Sequence, residues 1–306
     1  MERLTLMLEK FRQQRGKGVP SHAPSSRRAA DEPGPIVYTQ TKSVDVPLAM
    51  LKERRAVAAF EEGPFTDAYK ILRTQVMHRM RENNWNVLAV TSAGEREGKT
   101  LTAVNLATSL ALDTTQTVLL VDADLRHPSV HEVFGLPAGR GLANYLLDEM
   151  PIKDLLVHPG IDRFILLPGG RRVTHSAEIL TSPKMVALVE ELKHRYPDRV
   201  VIFDLPPVLE AADVLAFAPY TDATLLVVEE GRTTVESVER VLQLMKGVSP
   251  IIGTVLNKAG QPADLALRRR AGKTSGPVPS DHITRAPEKP QRPPSMPGRR
   301  PGGRAV

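Results

Sequence analysis

The sequence predicts an α/β fold: a mostly parallel β-sheet covered by helices on both faces. Three observations carry this. From residue 86 onward, short apolar runs alternate with longer segments of helical periodicity. The runs are rich in Val, Ile and Leu with little polar alternation, as strands buried on both faces are. Two runs end in carboxylates and one enters a glycine-bearing loop, at the strand ends where open sheets of this class bind ligands.

The elements follow in order. Residues 1–15 place Leu4, Met7, Leu8 and Phe11 at helical spacing, with Arg3, Lys10, Arg12 and Arg15 elsewhere. This is a short basic amphipathic helix, suited to a membrane surface, to a partner, or to packing on its own domain. Residues 16–64 read as a Pro-, Ser- and Gly-marked linker with a short helix over 48–60. The main domain spans 65–258 and begins with a helix over 65–83. Asp67, Lys70 and Arg73 recur there at steps of three and share roughly one face, as a solvated face or a subunit contact would. Strands are expected at 86–91, 117–122, 163–168, 199–204, 223–229 and 251–256, with helices at 99–112, 182–196 and 233–246. After Lys258 come about ten Arg and Lys against about three acids. This Pro-rich tail, 259–306, is expected to be disordered and suits anionic lipid, an acidic partner, or solubility alone.

The loop between the first two of these core elements carries the chemistry. Ala93, Gly94, Glu95, Arg96, Glu97, Gly98, Lys99 and Thr100, followed by Leu101, form a phosphate-binding loop with Ala at the usual first Gly. Successive backbone N–H groups curl around phosphate oxygens, and the helix amino terminus adds its positive dipole end. Lys99 would neutralise the β/γ-phosphates of ATP, and the Thr100 hydroxyl would hold Mg²⁺. The fold expected is therefore a P-loop NTPase. Asp122 and Asp124 end one strand and Asp204 another, where they can hold a metal or orient a nucleophile; capping of the next turn is the alternative role. Arg96 leaves two roles open. It restricts the loop if the backbone needs positive φ, or it brings one more cation to the phosphates.

These segments resemble the bacterial tyrosine kinases of capsule and exopolysaccharide synthesis, called BY-kinases, in their separate cytoplasmic form. The phosphate loop is similar to their Walker A motif, Asp122-Ala-Asp124-Leu-Arg126 to Walker A′, and Phe203-Asp204-Leu-Pro-Pro207 to Walker B. His127 to Leu136, Gly141 to Leu146, Glu178-Ile-Leu180, Asp213 and Val255-Leu-Asn257-Lys258 extend the likeness over about residues 65–258. The resemblance implies that Lys99 binds phosphate. It has Thr100 and Asp122 hold Mg²⁺, Asp124 assist the metal or the attacking hydroxyl, Asp204 act as the Walker B carboxylate at the metal, and Asn257 touch the adenine edge. Asp67, Lys70 and Arg73 resemble the family's Glu-x-x-Arg-x-x-Arg helix, which packs subunits into a ring. The implied activity is ATP-dependent protein-tyrosine (auto)kinase, regulating polymerisation and export of the polysaccharide. The implied partners are a membrane-embedded chain-length regulator as activator, further copies of the chain, and a cognate tyrosine phosphatase.

The chain departs from that family at its carboxyl end, where no tyrosine cluster occurs; its tyrosines are Tyr38, Tyr69, Tyr145, Tyr196 and Tyr220. Tyr38 follows the Pro- and Ser-rich linker and is a candidate phosphoacceptor, or a spacer tyrosine anchoring a short strand or contact. Two other classes stay open. One is a ParA/MinD-type positioning ATPase, although Gly94 stands where those carry an extra Lys. The other is a nucleotide-binding scaffold with little turnover.

Composition bounds the rest. The 306 residues contain no Cys, which excludes disulfides and thiol catalysis. No apolar run approaches the ~18 residues of a spanning helix. The amino terminus mixes acid and base too closely for a signal peptide, so a cytoplasmic protein peripheral to the inner membrane is expected. The tail accounts for the formal charge of +6. The near-neutral fold argues against a built-in nucleic-acid groove.

Overall fold

The computed structural model describes residues 41–260 except 57, 59, 61, 114, 115, 196 and 197. The expected helix over 1–15, most of the linker, Tyr38, Tyr196 and the tail from 261 lie outside the described residues.

Eight strands make one sheet. They are β1 (Lys42–Ser43), β2 (Val87–Ser92), β3 (Thr117–Asp122), β4 (Val157–His158), β5 (Phe164–Leu167), β6 (Arg199–Asp204), β7 (Ala223–Glu229) and β8 (Ile251–Asn257). Their order across the sheet is β1-β4-β5-β3-β6-β2-β7-β8. Every pair is parallel except β4 with β5. The α-helices are α1 (Leu48–Glu53), α2 (Pro64–Glu82), α3 (Lys99–Ala111), α4 (Val130–Val133), α5 (Leu142–Asp148), α6 (Ser176–Leu180), α7 (Pro183–Arg195), α8 (Asp213–Phe217) and α9 (Val235–Met245).

Because side chains alternate across a strand, each central strand feeds two cores. Ala89, Leu119, Val121, Val201 and Phe203 pack on one face with Met185 and Val189 of α7 and Phe217 of α8. Leu88, Val90, Val118, Leu120 and Ile202 pack on the other with Val76 and Met80 of α2 and Val104 and Leu106 of α3. This is why the runs read as continuously apolar. Phe203 meets Phe217 with ring centroids 5.0 Å apart. Truncating Phe203 to Ala should cost about 3–5 kcal/mol.

The region before the expected domain start is not a free linker. Residues 42–43 pair with β4, and Val46, Leu51, Ala56 and Ala58 are buried. The helix expected over 48–60 stops at Glu53, because Arg55 turns left-handed at φ 58. The Ala56 N–H then donates to the Leu51 carbonyl at 2.8 Å and the Arg55 N–H to the Lys52 carbonyl at 3.0 Å. That pair of bonds closes the helix as a Schellman cap. The expected helix over 233–246 starts at Val235 instead, where the Thr234 hydroxyl accepts the Ser237 N–H at 3.2 Å. The β1 and β4 strands were not expected, since two residues are too short to show a period.

Candidate functional site

The site lies at the carboxyl ends of β3, β6 and β2, three adjacent strands at the middle of the sheet. Register places Asp122 opposite Asp204 across β3 and β6, and Asp204 opposite Val90 of β2. Both acids therefore converge under the loop that leaves β2 and enters α3.

The loop is held from several sides. Gly98 caps α3 in the left-handed region at φ 94, and a Cβ there would lie 1.9 Å from Asn257 Nδ2. No side chain but hydrogen fits. Asn257, at the end of β8, donates to the Glu97 carbonyl at 2.8 Å. One N–H of its amide is thus engaged by the loop backbone. Buried Glu97 accepts the Ala93 N–H at 3.0 Å with one oxygen and the Thr233 hydroxyl at 2.6 Å with the other. The Glu95 N–H donates to Glu210 at 2.8 Å, and the Ser92 hydroxyl to the Gly94 carbonyl at 2.7 Å. Lys258 bridges the Arg96 carbonyl at 2.8 Å and Glu229 at 2.9 Å. Arg96 adopts φ 60, a left-handed conformation that costs a residue with a side chain roughly 1–2 kcal/mol. Its backbone is constrained, and its exposed side chain lines the cleft.

Beneath the loop, Lys99 Nζ lies 2.8 Å from Asp124 Oδ2 and 3.7 Å from Asp204 Oδ1. Burial alone would lower the lysine's pKa; Asp204 and Asp124 outweigh it and raise the value, so Lys99 stays cationic. The Thr100 hydroxyl donates to Asp204 Oδ2 at 2.7 Å. Asp122 Oδ2 accepts the N–H groups of Ser129 and Val130 at 2.9 and 3.0 Å. Asp124 has both oxygens engaged, one by Lys99 and one by the His127 N–H at 3.0 Å. This commits Asp124 to holding the lysine, a role the sequence reading did not give it.

Asp122 Oδ1 and Asp204 Oδ1 are buried and accept no hydrogen bond. Burial, then the charge of Asp204, pushes Asp122 up to about 8. Burial likewise pushes Asp204 up to about 6, against the pull of Lys99. Two orphaned carboxylate oxygens beside a threonine hydroxyl are the hard oxygen donors that Mg²⁺ prefers. The residues present thus fit a divalent cation. The cleft above them holds about 580 Å³ and is lined by Arg54, Arg96, Lys99, Thr100, Asp124 and His127 among others.

The charged triplet on α2 lies elsewhere. Asp67 and Lys70 form an exposed pair at 3.1 Å, while Arg73 turns inward and donates to the Ser109 carbonyl of α3 at 2.6 Å. Sequence reasoning missed Glu97–Thr233, Glu210, Lys258 as a loop tie, Ser129 and Arg54. Lys258 and Ser129 had a signal, the first its place directly after Asn257 and the second its place in the His127 to Leu136 segment.

An AAA domain family matches residues 87–258. The chain is 31% identical over 207 residues to the tyrosine-protein kinase YwqD of Bacillus subtilis, covering 67% of this chain and 86% of that protein. The fold is similar to the VpsO kinase domain, at 29% identity and TM-score 0.57 over 70% of this chain and 97% of that one. It is similar also to the kinase domain of the Escherichia coli tyrosine kinase Etk, at 30% identity and TM-score 0.58, covering 64% of this chain and 77% of that one.

Proposed function

This chain belongs to the bacterial tyrosine-protein kinases built on an AAA-type ATPase domain, and on that premise we propose that it binds ATP with Mg²⁺ in the β3–β6–β2 cleft and transfers the terminal phosphoryl group to tyrosine. The observation that carries this is the pair of orphaned oxygens on Asp122 and Asp204, beside Thr100 and under a phosphate loop.

Each residue then has a task. The loop N–H groups from Arg96 to Thr100 would bind phosphate oxygens, and Lys99 would neutralise the β/γ charge. Thr100, Asp122 and Asp204 would hold Mg²⁺, which supplies charge neutralisation on the phosphates when bound. Asp124 holds Lys99 in place. Glu97, Asn257 and Lys258 fix the loop before ligand arrives, so little ordering is left to the reaction step. In the transfer itself, a bond forms between the tyrosine oxygen and the γ-phosphorus. The bond from that phosphorus to the β–γ bridging oxygen breaks, and its electron pair leaves on ADP. The phenol proton passes to a carboxylate of the cleft.

The wider role rests on the family resemblance. The chain would act in capsule or exopolysaccharide production with a membrane-embedded chain-length regulator, as a homo-oligomer, and against a tyrosine phosphatase. No helix among the described residues is long and apolar enough to cross a membrane, which is compatible with a regulator that supplies the membrane attachment. The acceptor would be Tyr38 or another tyrosine of this chain or a partner.

Phosphotyrosine mapping by mass spectrometry tests the proposal, comparing the native protein with Lys99→Ala from cells that also contain the membrane regulator. Phosphotyrosine in the native protein alone supports the kinase and locates its acceptor. No modification of either protein or of the partner leaves a nucleotide-switched assembly factor as the reading.

A further inference from the structure

The segment before the AAA-domain match brings one cation to the cleft. Arg54 sits at the carboxyl end of α1, in a stretch that neither the phosphate-loop pattern nor the family match includes. Its position is fixed by the fold. The Schellman cap closes α1 around it. Leu51, Ala56 and Ala58 are buried at 2%, 0% and 0% exposure. Asn105 of α3 grips the segment twice: its Oδ1 accepts the Ala58 N–H at 3.0 Å, and its Nδ2 donates to the Arg55 carbonyl at 2.9 Å. Asn105 lies on the helix whose amino terminus is Lys99 and Thr100. On the other side, Met50 fills the space over Gly135, where a Cβ would lie 1.6 Å from its sulfur. Gly135 follows α4, which itself follows β3.

Topology says which end of the cleft this is. Asn257 reaches the loop from β8, two strands from β2 on one side; β3 lies two strands away on the other. Arg54 therefore enters from the side of Asp122 and Ser129, opposite Asn257. Its side chain is exposed, lines the same cleft as Lys99 and Asp124, and has no ion-pair partner among the described residues. Lys99, the buried cation of the site, is already shared between Asp124 and Asp204. Charge that builds on the transferring phosphoryl oxygens thus has, besides the ion-paired Lys99, a second cation lining the cleft.

We propose that Arg54 is a catalytic arginine supplied by the chain's own amino-terminal segment, which contacts the terminal phosphoryl group as it transfers. The inference rests on the nucleotide reading above. In the balanced transfer given there, the guanidinium donates to the equatorial oxygens, whose negative charge must be stabilised as the bridging bond breaks. Its planar fork suits two of those oxygens at once, a geometry lysine cannot copy.

The test compares the native chain with Arg54→Ala, Arg54→Lys and Arg55→Ala, the last having its side chain outside the cleft lining. Affinity is measured for ADP with Mg²⁺, and for ADP with Mg²⁺ and aluminium fluoride, which mimics the transferring phosphoryl group. The native chain and Arg55→Ala should bind the fluoride complex more tightly than ADP. Arg54→Ala should keep its ADP affinity within about threefold and lose at least about tenfold of the gain from fluoride, with Arg54→Lys restoring little of it. Turnover should fall with the same variant. If native protein binds ADP but Arg54→Ala retains the whole gain, the arginine assignment fails and the nucleotide site stands. If native protein binds no ADP, both fail. Thermal melting of Arg54→Ala at the native temperature excludes an unfolded variant, and if it melts early, Arg54→Lys gives the deciding ratio.

Discussion

The phosphate loop and helix α2 both carry charged residues at family spacing, and the structure treats them differently. In the loop, Lys99 is nearly buried and tied to Asp124, and Thr100 to Asp204, each partner arriving from another strand. On α2, Asp67 and Lys70 pair with each other in solvent, and Arg73 leaves the row to cap the end of α3 through the Ser109 carbonyl. Spacing in the loop is enforced by strand ends that converge. Spacing on an exposed helix face fixes only which side a residue is on, and a neighbouring carbonyl can recruit one member. Geometry thus fixes the charges of the loop, while on α2 only Asp67 and Lys70 stay exposed, where a subunit contact could use them.

The comparison breaks first at Lys99. Lys99→Ala should lower phosphotransfer by more than about a hundredfold, as loss of a phosphate-positioning cation does. The rate of γ-phosphate loss from labelled ATP reads this. A variant turning over at native rates would remove the distinction between the two regions.

The buried acids sharpen it. In metal- and nucleotide-free protein, Asp122 and Asp204 have folded pKa values of about 8 and about 6, above the ordinary carboxylate value of 3.8. Between pH 4 and 8 the folded state therefore holds more protons than the unfolded state, and stability falls as pH rises. Asp122→Asn should raise the melting temperature at pH 8 more than at pH 5 in the ligand-free protein. It should also remove the Mg²⁺ dependence of nucleotide affinity. Equal shifts at both pH values would contradict the burial account.

Arg73 ranks next. Its bond to Ser109 is charge-assisted and half-buried, so Arg73→Ala should cost about 1.5–3 kcal/mol by urea unfolding. Lys70→Glu leaves that bond alone. It should change assembly size by light scattering while shifting stability by less than about 1 kcal/mol. No change in size would leave α2 without an assembly role. The smallest effect is at Arg96, where Gly relieves the left-handed backbone. Arg96→Gly should gain about 1 kcal/mol in stability. A loss instead would show that its side chain holds the folded loop.

Much of this was legible in the sequence. The strand ending at Asp122 and the one ending at Asp204 fall where expected, because runs such as Val118 to Val121 are apolar on both sheet faces. Convergence of those acids under the loop followed from their being strand-end residues of a parallel sheet. Other features had no local signal. The two-residue strands β1 and β4 exist through pairing alone. The Glu97–Thr233 bond spans 136 residues, and the Asn105 grip on residue 58 spans 47. Arg54 had no local signal either, since the Schellman cap that fixes its backbone depends on a left-handed Arg55 that no glycine announces.

The central claim, that these strand ends form an ATP–Mg²⁺ site, is tested most directly by titration calorimetry of ATP into the purified chain. It is run with and without Mg²⁺ and repeated with Lys99→Ala and Asp204→Asn. The account predicts binding to the native chain that tightens with Mg²⁺, is lost in Lys99→Ala, and loses its Mg²⁺ dependence in Asp204→Asn. Binding that ignores both the metal and Lys99, or no binding by the native chain, would contradict it.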